Sequence, residues 1–147
     1  HLAVDAPHAA VDLKLLSDAA NQVLTPRTNE WSLRVGRYQT VSAVLHLYDP
    51  NGDDWIFPMQ PDFGVLRSLE IQAGCVTRLQ VGPPFVLKTS VEKGDADTLI
   101  VSPTLLGRAG EEYRIDFNRT GRRPSECMFK IVDEKGTVLV ADKFQYG

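Results

Sequence analysis

No apolar run in this chain approaches the roughly 18 residues that a membrane-spanning helix requires, so no membrane span is expected. Cysteine is scarce, with two in 147 residues, Cys75 and Cys127. They form no CxxC, no CxxCH and no Cys/His spacing. Structural zinc, iron–sulfur clusters and c-type haem therefore have no ligand set. Segments of helical period are also missing; only Ser17–Asn21 reads as a helical scrap. There is no G-x-S-x-G, no HExxH, no phosphate-binding glycine loop and no dinucleotide fingerprint, so no catalytic frame is recognisable. Low-complexity segments and convincing internal repeats are absent as well.

Concentrated positive charge is lacking too. The net charge is −3. Residues 1–75 hold nine acids and five bases (net −4), and residues 76–147 hold ten acids and eleven bases (net +1). Five arginines fall between Arg108 and Arg123, but Glu111, Glu112 and Asp116 interleave with them. That pattern suits a solvated mixed-charge face, and no nucleic-acid partner is expected. The chain opens on His1 with no methionine and no signal-like stretch, which reads as a processed product or a piece of a longer protein.

What the chain has in quantity is period-two alternation between breakers. Thr40–Phe57 is its clearest stretch. Val41, Ala43, Leu45 and Leu47 alternate with Thr40, Ser42, His46 and Tyr48. Asp49-Pro50-Asn51-Gly52 is a strong turn, and Trp55 and Phe57 return on one face. Similar alternation marks Val11–Leu15, Trp31–Val35, Val65–Ile71, Cys75–Val81, Phe85–Val91, Thr98–Ser102, Tyr113–Phe117, Cys127–Ile131 and Val138–Tyr146. Pro103 is expected to stop the strand at Thr98–Ser102.

These segments predict an all-β fold of about 9–11 short strands in an antiparallel β-sandwich, immunoglobulin-like or of a related Greek-key type. The antibody signature is absent, because both tryptophans precede Cys75 and Ser125 holds the place of the corner tyrosine. Cys75 and Cys127 fall on apolar faces, as a cross-core disulfide or as two buried thiols. A single domain is expected. Residues 1–16 serve as a loose lead-in plus first strand, which could act as a donated arm, and residues 17–147 form the sandwich. A break near Pro58–Gly64 is the alternative.

Candidate sites are few. Asp49, Asn51 and Asp53 occupy positions one, three and five of a calcium-loop spacing, which would aim alternate oxygens at one hard cation. Position six is Asp54 where glycine is required, and position twelve is Gln60 where a bidentate glutamate is required. A self-capped hairpin turn is the competing reading. His1, with its amino group and a second histidine (His46 or His8), has the makings of a copper brace. Asp53-Asp54 and Glu111-Glu112 read as solvated turn ends, since neighbours on a strand point to opposite faces. Asn118-Arg119-Thr120 is a glycosylation sequon. Phe63 and Tyr48 are candidates for a carbohydrate platform.

The expected function is that of a non-catalytic extracytoplasmic module, secreted, periplasmic or at the cell surface. Its partner would be another protein or copies of itself, met through strand edges. A filament subunit joined by addition of its N-terminal strand and a secreted copper enzyme using His1 are the alternatives.

Overall fold

The structure is a computed structural model. It describes residues 1–17, 21–24, 29–62, 64–95, 98–114 and 128–143. Most of Ser17–Asn21, together with Phe63, the sequon at Asn118 and Cys127, lies outside the described residues. Within them the fold is all-β, with thirteen strands and one short 3-10 turn at Gly64–Leu66. The strands are β1 (Leu2–Asp5), β2 (Ala9–Ser17), β3 (Asn21–Leu24), β4 (Glu30–Trp31), β5 (Gly36–Tyr48), β6 (Asp54–Met59), β7 (Leu69–Ile71), β8 (Thr77–Gln80), β9 (Val86–Lys93), β10 (Leu99–Leu106), β11 (Glu112–Tyr113), β12 (Met128–Val132) and β13 (Val138–Lys143).

The long hairpin β5–β6 organises the larger sheet, whose order is β3-β2-β5-β6-β11-β10-β9. β2 runs along β5 from Tyr38 to Leu47, while the other edge of β5 takes β7 at Gly36–Tyr38 and β6 at Ala43–Tyr48. A three-stranded sheet, β4-β1-β8, packs over it. Leu2 and Val4 of β1 and Leu79 of β8 meet Val11, Leu13, Leu15, Ala43, Leu45, Met59 and Ile71 in one buried cluster. Interdigitation of two apolar inner faces is the defining feature of a β-sandwich. Phe57, Phe85 and Tyr113 close one end, with Tyr113 edge-on to both phenylalanines.

Several expectations change. Residues 1–8 are no loose lead-in. β1 is the central strand of the smaller sheet, antiparallel to β4 and parallel to β8, and Leu2 is fully buried. The β1–β8 pair is the one parallel ladder among the described residues. Leu33 and Val35 lie outside any strand, and β4 is only two residues long. The alternation from Val41 to Leu47 is interrupted. Lys14 pairs with Ser42 and Leu15 with Thr40, which leaves Val41 as the extra residue of a bulge. A bulge shifts the inward face by one residue. Accordingly Thr40 is buried and Val41 exposed.

Pro103 does not stop its strand, because β10 continues to Leu106. Pro103 sits opposite Thr89. The backbone N–H of Gly94 donates to Thr98 O at 2.9 Å. In an antiparallel ladder, bonded and non-bonded pairs alternate. Counting back from Gly94, the Thr89–Pro103 pair is non-bonded, and the missing N–H costs that ladder nothing.

The two late hairpins differ from the rest. No residue of β9, β10, β12 or β13 belongs to the fully buried core. Val86, Leu87, Val91, Leu99 and Ile100 are exposed on the first hairpin, and Met128, Val132, Val138, Leu139 and Val140 on the second. β12 and β13 pair only with each other among the described residues.

Candidate functional site

The acidic turn closes β5–β6. Asp49 Oδ1 accepts the backbone N–H groups of Asn51 (2.8 Å) and Asp53 (2.9 Å), and Oδ2 faces the Trp55 indole N–H at 3.4 Å. Gly52, at φ 83°, donates its N–H to Asp49 O. The hydrogen bond from the Asp53 backbone, followed by the Trp55 and Asn51 bonds, holds the Asp49 carboxyl below its ordinary value of 3.8. The turn between β12 and β13 repeats this pattern. Asp133 Oδ1 accepts from Lys135 N and Thr137 N, and Gly136 has φ 81°. Thr137 there takes the place of Asp53. The turn thus needs an aspartate first and a glycine fourth, and neither Asn51 nor a carboxylate at position five is part of that need. Among the described residues, no group of three or more His, Cys, Asp and Glu is placed to hold a metal.

The shifted carboxyl gives a pH signature. A folded value below the unfolded one adds stability above the unfolded value, and that stability is lost as pH falls through the folded value. Asp49→Ala should therefore lower stability at neutral pH. Its deficit should shrink as pH falls below about 4. Urea unfolding of both proteins across that range checks this, and a deficit that stays constant with pH would contradict it.

His46 of β5 lies on the outer face of the larger sheet between two carboxylates on neighbouring strands. Its Nε2 is 3.2 Å from Asp12 Oδ2 on β2, and its Nδ1 is 3.2 Å from Asp54 Oδ1 on β6. Asp54 is buried, so Asp53-Asp54 is only half a solvated turn end. The arrangement ties three adjacent strands together across that face. His1 is elsewhere. Its backbone nitrogen donates to Cys75 O at 3.1 Å, and its Nδ1 is 3.2 Å from Ser32 Oγ. The structure does not bring His1 and His46 into contact. His8 has φ 57° at the turn into β2 and is exposed.

The third cluster was not visible as a site in sequence. Glu111 is completely buried, contrary to its reading as a turn end. Its Oε1 accepts from Gly82 N (2.7 Å) and the Tyr113 hydroxyl (2.6 Å), and its Oε2 accepts from Ala109 N (2.9 Å). Burial, then the hydrogen bond to Glu111, pushes the Tyr113 hydroxyl far above its ordinary value. Next to it, Arg108 pairs with Asp5 Oδ2 at 2.9 Å and also donates to Asp5 O, linking the end of β1 to the β10–β11 turn. A side chain on Gly107 would overlap the Glu111 carboxylate and the Tyr113 ring. The spacing G-x-x-x-E-x-Y is the sequence signal that could have revealed the cluster. Its function is structural: one carboxylate satisfies donors from three segments.

Cys75 is an exposed free thiol in the turn before β8, not an inward strand residue. Tyr48 is exposed at the end of β5. No family model matches the chain, and no curated protein or solved structure matches it either.

Proposed function

We propose that the protein is a non-catalytic module that works outside the cytoplasm, in a binding or structural role, through its open strand edges. The supporting observation is the β9–β10 hairpin. Among the described residues it forms the end of the larger sheet, presents an eight-residue edge strand, and exposes apolar side chains along its length. Exposed apolar patches and unpaired edges of this length are what strand-adding partners use. The immunoglobulin-like or Greek-key grouping, and the location, rest on the helix-free sandwich alone.

A second reading is assembly by N-terminal strand addition. It is favoured by β1, a short strand seated centrally between β4 and β8 with Leu2 and Val4 in the core. A neighbouring copy could supply such a strand.

The edge reading is tested by selecting ligands from a random peptide display library. Val91 points its N–H away from β10, so Val91→Pro blocks the edge and leaves the β9–β10 ladder intact. Selected peptides should bind the parent protein and lose binding to Val91→Pro at unchanged circular dichroism. A glycan array provides the contrasting outcome. Carbohydrate ligands that ignore Val91→Pro, or no edge-dependent peptide at all, would sink the edge reading.

A further inference from the structure

We infer that the occupant of the β9 edge is the β9 edge of a second copy, in an antiparallel register centred on Ser90; this rests on the edge reading above. The parity of the ladder limits the choices. Gly94 bonds to Thr98 across the hairpin, so Glu92, Ser90 and Lys88 turn their backbone groups to β10. Lys93, Val91, Thr89 and Leu87 turn theirs outward. Two such edges can pair only outward residue to outward residue. A two-fold axis must then pass through a residue, and near-complete overlap leaves Thr89, Ser90 or Val91.

The side chains separate these three. An axis at Thr89 places Lys88 opposite Ser90, Glu92 opposite Val86 and Lys93 opposite Phe85. An axis at Val91 places Lys88 opposite Gly94, Glu92 opposite Ser90 and Lys93 opposite Thr89. Only the axis at Ser90 places Lys88 opposite Glu92, and symmetry makes that pair twice. Both pairs occupy non-hydrogen-bonded positions, where the strands approach most closely and cross-strand charges interact best.

The opposite face agrees with this register. Thr89 meets Val91, and Leu87 meets Lys93, whose methylene stem covers the apolar chain. Leu87 and Val91 are each more than half exposed in the single chain. The pairing covers them and joins two eight-stranded sheets into one continuous sheet.

The test is sedimentation of the full chain from micromolar to sub-millimolar concentration, with charge-reversal variants. The parent should dimerise. Lys88→Glu and Glu92→Lys each create two like-charge pairs and should weaken the dimer by about tenfold, and the double reversal should restore it. In a Cys75→Ser/Cys127→Ser background, Ser90→Cys should form a disulfide-linked dimer, because opposed residues at a non-bonded pair lie about 4.5 Å apart at Cα. Thr89→Cys and Val91→Cys should cross-link poorly. A monomer at every concentration, a double reversal as weak as the single ones, or cross-linking through residue 89 or 91 in preference to 90 would each overturn the inference. A monomer that still binds peptides in a Val91→Pro-sensitive way would overturn the second-copy occupant and leave the edge reading standing.

Discussion

Glu111→Ala should be among the most destabilising single substitutions in this protein, although the residue is a glutamate beside a surface turn. The carboxylate is fully buried and accepts from Gly82 N, Ala109 N and the Tyr113 hydroxyl. Removing it leaves the buried Tyr113 hydroxyl and the half-buried Ala109 N–H without their acceptor, and leaves Gly82 N–H with the Tyr113 oxygen alone. Each such group costs roughly 1–3 kcal/mol, for a total of about 2–6 kcal/mol. For a chain of this size that is a fall in Tm on the order of 5–20 °C.

Glu111→Gln keeps the shape but turns an NH2 toward one set of donors, so it should lose about 1–3 kcal/mol. Gly107→Ala should damage the same cluster, because its Cβ would occupy the carboxylate's place. The two sites share one network, so the cost of Gly107→Ala with Glu111→Ala should fall well short of the sum of the singles. Calorimetry of the four proteins checks this. A Glu111→Ala protein melting within about 2 °C of the parent would refute the account.

Deleting residues 1–6 should abolish cooperative unfolding. The segment contributes the central strand of the three-stranded sheet. It also carries Leu2, Ala3, Val4 and Ala6 in the core and the Asp5 partner of Arg108. Burial of Leu2 and Val4 alone is worth about 3–6 kcal/mol. That is a large part of the roughly 5–15 kcal/mol that holds a typical domain together. Removal also strips β8 and β4 of their shared neighbour. A synthetic peptide of residues 1–8 added in trans should restore a cooperative transition, since strand addition supplies the same ladder and the same side chains. The reading of assembly by strand donation depends on that rescue. A truncated chain that melts like the parent would show β1 to be dispensable and remove the basis for it.

The all-β class was legible because alternation and its breakers are local properties. Val11, Leu13 and Leu15 and the turn at Asp49–Gly52 sit as their pattern predicts, with the same inward face and a self-capped turn. Less was legible where a partner strand decides. Val41 reads as inward, yet the register against β2 makes it the bulged residue and sends Thr40 inside. Pro103 reads as a stop, yet it occupies a ladder position that needs no N–H. Val86–Lys93 reads as half-buried, yet nothing among the described residues covers it. Alternation marks which residues share a face, not whether anything packs on that face.

The sequence by itself determined that strands form and where most of them turn. These follow from side-chain period, proline and glycine geometry, and composition, all of which act within a few residues. Only the tertiary structure decided that residues 2–5 are a core strand, that Glu111 is buried, that His46 lies between Asp12 and Asp54, and that β9 ends the larger sheet among the described residues. Each of these depends on contacts between residues far apart in the chain. Burial and pairing across such distances are set by which strands become neighbours, and no local pattern encodes that.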